Sequence, residues 1–217
     1  MSLWVIIPVK PLRRSKSRLS TILTEDERAL LNFKMLENTL GLLKDIPGVN
    51  EILVISKDPG VLALARTFNA KTLQEDGEPG LNITLKRAIY VAMAYAAQSV
   101  LILPADLPLL TKEEINTVIG KLISPSMMII SPDRHMNGTN MLLISPPDLI
   151  EFSYGPGSFE RHVRLAQIKN AKIEVCQFSA TGLDIDLPED FELFQKLQAF
   201  QSDININYKL QEGVNDV

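Results

Sequence analysis

Short apolar runs alternate with longer stretches of helical period along this 217-residue chain. That alternation restricts the fold more than any other feature of the sequence. The runs are Leu3–Val9, Ile52–Ser56, Ser99–Leu103, Met127–Ser131, Met141–Ser145 and Ile173–Phe178. Most are rich in Val and Ile, as strands covered on both faces are. Between the first two lies a helix over Thr24–Lys44, opened by the capping box Thr24-Glu25-Asp26-Glu27 and carrying Leu30, Leu31, Met35, Leu36, Leu40 and Leu43 at helical spacing. Asn82–Ala97 repeats the pattern, and a second capping box, Thr111-Lys112-Glu113-Glu114, opens a helix that reaches about Ile123. Strands alternating with helices at this spacing predict an α/β domain with a mostly parallel sheet and helices on both faces. Beyond Ser131 the rhythm is looser, which predicts a mixed or antiparallel portion of the sheet. A late helix is expected over Pro188–Phe200, so a single domain spans residues 1–200 and a polar tail occupies 201–217.

Composition removes several classes of function. Hydrophobic residues at 46 % and charged residues at 22 % describe a globular chain. A net charge of −4 suits general nucleic-acid binding poorly. The lone cysteine, Cys176, can form no internal disulfide, and no apolar run approaches the length of a membrane span. Neither a nucleic acid nor a membrane is an expected partner, and the cytoplasm is the expected compartment.

In open α/β sheets ligands bind beyond the carboxyl ends of the strands. After the first strand, five of the nine residues from Lys10 to Arg18 are basic: Lys10, Arg13, Arg14, Lys16 and Arg18. A solvated basic loop is the plain alternative, but a position directly after the first strand favours a polyphosphate. Neither G-x-x-x-x-G-K-[ST] nor G-x-G-x-x-G occurs, which disfavours a P-loop ATPase or a dinucleotide-binding dehydrogenase. After the central strand comes Pro104-Ala105-Asp106-Leu107-Pro108. Asp106 at a buried strand end is a candidate Mg²⁺ ligand, because Mg²⁺ takes one or two carboxylates together with phosphate oxygens. In Leu183–Leu187, an extended backbone puts Asp184 and Asp186 on one face, where a cation between them relieves their repulsion. Glu189 and Asp190 read instead as favourable charge in the first turn of the late helix. Gly155-Pro156-Gly157-Ser158 reads as a glycine turn, with Ser158 as the N-cap of a following helix and backbone N–H groups able to face an anion. His135 and His162 have no ligand set for zinc at metal spacing.

These segments occur in one order: Pro8-Val9-Lys10-Pro11 with Lys16-Ser17-Arg18-Leu19, Pro104-Ala105-Asp106-Leu107-Pro108, Gly138-Thr139-Asn140, Gly155-Pro156-Gly157-Ser158-Phe159 with His162, and Asp184-Ile185-Asp186-Leu187-Pro188. Together they resemble the 2-phospho-L-lactate guanylyltransferases (CofC) and their bacterial phosphoenolpyruvate-using relatives, over roughly residues 3 to 198. The glycine-free first loop separates the chain from molybdopterin, isoprenoid and sugar-nucleotide relatives. The resemblance implies a Rossmann-like nucleotidyltransferase fold and transfer of GMP from GTP to a small phosphorylated acid, with loss of pyrophosphate, in the biosynthesis of coenzyme F-420. It implies one or two Mg²⁺ ions on Asp106, Asp184 and Asp186, phosphate contacts from Lys10, Lys16 and Arg18, and an acid site at Thr139, Gly155 and Ser158. The segment Ser131–Asn137 is bulkier and more charged than the family pattern leads one to expect. The expected partners are GTP, the acid, and a second copy of the chain in a homodimer. The acceptor stays open among 2-phospho-L-lactate, phosphoenolpyruvate and 3-phospho-D-glycerate. Two rivals are a nucleotide-sugar glycosyltransferase, since Asp184-Ile185-Asp186 is D-x-D, and a non-catalytic nucleotide-binding module.

Overall fold

The computed structural model describes residues 2–76, 80–178 and 182–197. Among these residues seven strands form one sheet: β1 (Leu3–Pro8), β2 (Val49–Ser56), β3 (Lys71–Gln74), β4 (Ser99–Ile102), β5 (Met127–Pro132), β6 (Thr139–Ser145) and β7 (Lys172–Val175). Their order is β3-β2-β1-β4-β6-β5-β7. The pairs β1–β2, β1–β4, β2–β3 and β5–β7 are parallel, and β6 runs antiparallel to both β4 and β5. The mixed portion expected beyond Ser131 is therefore this single reversed strand.

The helices are α1 (Glu25–Leu43), α2 (Pro59–Thr67), α3 (Leu81–Ala94), α4 (Lys112–Gly120) and α5 (Ser158–Ile168), and residues 188–197 are also helical. They cover both faces, which explains why β1 is apolar at successive positions rather than alternate ones. Leu3, Val5 and Ile7 pack with Leu36, Leu40, Val61, Ile115 and Val118 on one face. Trp4 and Ile6 pack with Leu85, Ala88, Ile89 and Ala92 on the other. Both capping boxes form: Thr24 pairs reciprocally with Glu27, and Thr111 with Glu114. The sequence signals for α1 and α4 were local hydrogen bonds, and those bonds are made.

Two elements lie outside the sequence reading. α2 is only nine residues, and β3 is a four-residue edge strand with no buried position, so neither carries a strong apolar period. The late helix is present over 188–197; its expected last turn and the tail 201–217 lie outside the described residues.

The topology decides which loops meet. From β1 the chain moves outward to β2 and β3, then returns across to β4, so the crevice between β1 and β4 is a switch point. The loops after these two parallel strands open there side by side. Because β6 is antiparallel, its first residue, Thr139, sits at the same end of the sheet. β7 runs parallel to β5 and delivers residues 182–187 to that end as well.

Candidate active site

The loop after β1 folds into two short 3-10 turns, Leu12–Arg14 and Ser17–Thr21. Three contacts fasten it to the body. The Leu12 N–H donates to Asp58 Oδ2 at 3.0 Å, while the other oxygen of Asp58 caps α2 through the Gly60 N–H. Asn32 of α1 donates from Nδ2 to the Leu12 carbonyl at 3.0 Å and to Ser15 Oγ at 2.7 Å. Lys16 joins the two turns in a left-handed conformation, φ 53°, which a non-glycine residue adopts only when its surroundings hold it there.

Those surroundings are the site. The Lys16 side chain is 4 % exposed, and its Nζ lies 3.2 Å from Asp106 Oδ2. The same ammonium donates to the Ile185 carbonyl. The Ile185 N–H in turn donates to the Asp106 carbonyl at 3.4 Å. One buried charge thus fastens three segments that are far apart in sequence. Ile185 is fully buried against Leu19 and Met35, and its flanking carboxylates, Asp184 and Asp186, both line the open space opposite. The two carboxylates line that one cavity, although residues 183–186 form no regular strand.

Asp190 has a larger part than the sequence suggested. It does sit in the first turn of its helix, but it is 5 % exposed and lines the site. Its Oδ2 accepts from the N–H groups of Asp186 and Leu187 at 3.1 and 2.7 Å, and its Oδ1 pairs with Arg134 Nη2 at 2.6 Å. It holds the backbone that presents Asp186.

Two cavities meet at this point. The first, about 440 Å³, runs along the ends of β1, β2 and β3 and is lined by Lys10, Lys16, Lys57 and Glu75 together with Asp106 and Asp186. The second, about 460 Å³, shares Asp106 and Asp186 and extends past Asp184, Arg18, Arg134 and Thr139. Lys10 and Lys16 therefore face the first cavity and Arg18 the second, where it pairs with Asp186 at 2.9 Å. Arg13 turns away to Glu25 and Asp26 on α1, and Arg14 is exposed. Lys57, directly after β2, was not singled out from the sequence; the strand-end rule applied to β2 would have found it.

The wall of the second cavity is braced by side chains. The Asp133 carboxylate accepts from the N–H groups of His135, Asn137 and Gly138 at 3.1, 2.8 and 2.8 Å. The charged part of Ser131–Asn137, the Asp133–Asn137 stretch after β5, is thus a self-bonded turn, and a Cβ on Gly138 would meet Asp133 Oδ2 at 2.7 Å. Arg161 of α5 fastens the neighbouring loop through Ser153 Oγ at 2.8 Å, the Ser153 carbonyl at 2.7 Å and the Pro156 carbonyl.

Behind this wall lies a buried hydrogen-bonded chain. His162 is fully buried and accepts the Ser153 N–H on Nε2 at 3.0 Å, which assigns its proton to Nδ1. Nδ1 then donates to Thr139 Oγ1 at 3.1 Å, and Thr139 Oγ1 lies 3.1 Å from Ser158 Oγ. Burial first, and the charge of Arg161 second, push the His162 imidazolium pKa down to about 4, so the ring is neutral. Thr139 and Gly155 line the cavity. Ser158 stands behind Thr139 at 1 % exposure. It is also not the N-cap: Gly157 takes that position at φ 73°, and Ser158 is the first helical residue. The left-handed turn there favours glycine, so the hydroxyl turns to Thr139 instead. His162, set aside in the sequence as a non-ligand, is the centre of this network.

The acidic cluster suits a hard cation. Burial, then the neighbouring charge of Asp106, push the Asp184 carboxyl up to about 6. Among the described residues no group of three or more His, Cys, Asp or Glu is close enough to hold a metal ion by itself. Mg²⁺ needs only one or two carboxylates when phosphate oxygens complete its shell, so the donor set fits such an ion together with a bound phosphate. No helix among the described residues is long and apolar enough to cross a membrane.

Known proteins resemble this chain in sequence and in fold. Residues 3–199 match the family model described as guanylyl transferase CofC like. A phosphoenolpyruvate guanylyltransferase of Rubrobacter xylanophilus is 38 % identical over 190 residues, covering 88 % of this chain and 92 % of that protein. A 2-phospho-L-lactate guanylyltransferase of Methanocaldococcus vulcanius is 37 % identical over 192 residues, covering 88 % and 83 %. Among solved structures, a nucleotidyl transferase from Methanothermobacter superposes with a TM-score of 0.66 at 11 % identity, covering 90 % of this chain and 96 % of the other.

Proposed function

The chain belongs to the CofC-like guanylyltransferase family, and from that premise we propose that it moves GMP from GTP onto the phosphate of 2-phospho-L-lactate and releases pyrophosphate. The product would serve the biosynthesis of coenzyme F-420. The observation that carries this reading is the pair of cavities that share Asp106 and Asp186. One suits a nucleotide and the other a small phosphorylated acid, and their common wall is where the reacting phosphates would meet.

The chemistry asks little of acid–base groups. The acceptor phosphate is already a nucleophile, so one of its oxygens attacks the α-phosphorus while the bond to the β-phosphate oxygen breaks. The barrier is the approach of two anions, and positioning and charge neutralisation lower it. Lys10, Lys16 and Lys57 neutralise the triphosphate and the leaving pyrophosphate. Arg18 and Arg134 receive the acid's phosphate and carboxylate, with the Thr139 hydroxyl as a further donor. Asp106, Asp184 and Asp186 would hold one or two Mg²⁺ ions, which would supply positive charge to offset that of the phosphates. Asp190 keeps Asp186 in place, and Lys16 holds Asp106 against the Ile185 backbone.

A second reading keeps the reaction and changes the acid to phosphoenolpyruvate, the substrate in the name of the Rubrobacter relative. The two acids share the arrangement of carboxylate and phosphate on one carbon. They differ in the geometry of that carbon, tetrahedral in one and planar in the other. The test is a panel of 2-phospho-L-lactate, phosphoenolpyruvate and 3-phospho-D-glycerate with GTP and Mg²⁺, read as pyrophosphate release. Release with 2-phospho-L-lactate at the highest kcat/KM is the expected result. A preference for phosphoenolpyruvate selects the second reading, and no release with any acid overturns both.

A further inference from the structure

Glu75, which follows β3 directly, also lines the first cavity, together with Thr84 and with Gly80 and Leu81 at the start of α3. In the strand order β3 lies three places from β4, which carries Asp106 on its following loop. At about 4.8 Å per strand that is roughly 14 Å, a span that a ribose and a purine fill. We propose that Glu75 reads the base of the nucleotide, its carboxylate accepting from the N1–H and N2–H of guanine. This rests on the guanylyl-transfer reading above.

The carboxylate is held for such a task. The Glu75 N–H donates to the Ser56 carbonyl at 2.9 Å and fixes the backbone beside β2. Oε1 accepts from Thr84 Oγ1 at 2.6 Å, and Thr84 is 4 % exposed on α3. Among the described residues Glu75 has no ion pair, and Oε2 makes no hydrogen bond. An ionised carboxylate only accepts, and its two oxygens have room for a pair of parallel donors besides the threonine. Guanine alone among the common bases offers two adjacent donors, N1–H and N2–H. Adenine and cytosine put a ring-nitrogen lone pair at that place, which a carboxylate repels. Uracil offers one N–H between two carbonyl oxygens. Guanine's O6 needs a donor next to this edge. Gly80 and Leu81 line the same cavity, and Gly80 at the N-cap has no side chain to cap α3, so the first N–H groups of the helix have no intrahelical partner.

The test compares GTP, ITP and ATP in the wild type and in Glu75→Gln. The substitution keeps the shape and turns one acceptor into a donor. ITP lacks only the 2-amino group. The measurements are kcat/KM with the acid accepted in the panel, and equilibrium binding of each nucleotide without acid. The wild type should prefer GTP to ITP by about tenfold or more, the worth of one hydrogen bond to a charged group. In Glu75→Gln the efficiency with GTP should fall about tenfold or more and the GTP:ITP ratio should approach one. KM for the acid should not move. Thr84→Val, which frees the carboxylate to turn, should erode the same ratio by a few-fold. An unchanged GTP:ITP ratio in Glu75→Gln overturns the inference. A wild type that binds GTP selectively but transfers nothing overturns the proposed function alone, and the binding ratio still decides Glu75. A wild type that binds the three nucleotides equally overturns the role of Glu75, whatever it transfers.

Discussion

The two cavities are built by different means. The first is walled by strand ends and by a loop tied down at a few points: Asp58 to Leu12, Asn32 to Leu12 and Ser15, and Lys16 to Asp106 and Ile185. The second is framed by two loops in which side chains bond backbone groups repeatedly, through Asp133, Arg161 and the chain Ser153–His162–Thr139–Ser158. A nucleotide is long and brings many contacts of its own, so its cavity can be an open channel with charges along it. A three-carbon acid offers few contacts, and a site that distinguishes it must be rigid before it arrives. The comparison predicts that damage in the first cavity appears in GTP use with the fold intact, whereas damage in the second appears in stability and acid use together.

Where the cavities meet, both should fail at once. Asp106→Asn is expected to lower turnover by ~10²-fold or more, equivalent to about 3 kcal/mol of transition-state stabilisation, and to lower the melting temperature as well, because the buried Lys16 ammonium loses its ion-pair partner. Full activity in that variant, or activity that persists in EDTA, removes Asp106 and the metal from the mechanism.

Acid should loosen the second cavity first. The folded pKa of His162 lies near 4 against an ordinary value of 6.5, so the neutral ring stabilises the fold fully above pH 6.5. That contribution is lost as the pH falls toward 4, on the order of 3 kcal/mol in all. The carboxyl of Asp184 has the opposite sign: with its folded pKa raised to about 6, its contribution is present below 3.8 and lost as pH rises through 6. Unfolding titrations between pH 4 and 7 on the wild type and on His162→Gln separate them. The variant should lose the His162 slope, and identical slopes in the two proteins exclude it.

Gly138→Ala drives a Cβ into the Asp133 carboxylate and should cost about 1–3 kcal/mol of stability. It should also raise KM for the acid, with KM for GTP unmoved. A rise confined to GTP would break the division between the cavities.

Exchange of cations between the cavities sharpens that division. Arg18→Ala should raise KM for the acid about tenfold and KM for GTP little. Lys57→Ala should do the reverse by a few-fold, since it is exposed and screened. Equal effects on both substrates from either change would merge the two cavities into one site.

The smallest effect is expected at Ser158. The residue lies behind the wall, so Ser158→Ala should remove about 1 kcal/mol of stability and change KM for the acid two- to threefold through Thr139. Thr139→Ser, which keeps the hydroxyl, should stay near wild type, while Thr139→Val leaves the buried His162 Nδ1–H without an acceptor. If Ser158→Ala and Thr139→Val lower only the melting temperature, the acid binds elsewhere.

Much of the sheet could be read from the chain because its cause is local. β1 is apolar at consecutive positions since both faces are covered, and α1 and α4 begin where Thr24 and Thr111 find Glu27 and Glu114 three residues on. β3 escaped notice because a half-exposed edge strand needs no apolar face, and α2 because nine residues make too short a period. Asp106 was conspicuous as a charge at the end of a buried strand. The basic loop was conspicuous as well, but its division was not: Lys16 turns inward, Arg18 toward the second cavity and Arg13 to α1.

The sequence by itself determined the layered α/β plan, two of the helix starts and the segments that carry charge. Periodicity and capping act over a few residues, so the chain displays them directly. The tertiary structure alone decided which charges share a cavity, that Asp190 supports Asp186, and that His162 is a neutral buried brace. The contacts responsible join residues far apart in the chain, 90 positions for Lys16 and Asp106 and 168 for Arg18 and Asp186. A side chain's partner at that separation is fixed by strand order, and the reversed β6 with the parallel β7 brings Thr139 and Asp184 to the end of the sheet where Lys16 already waits.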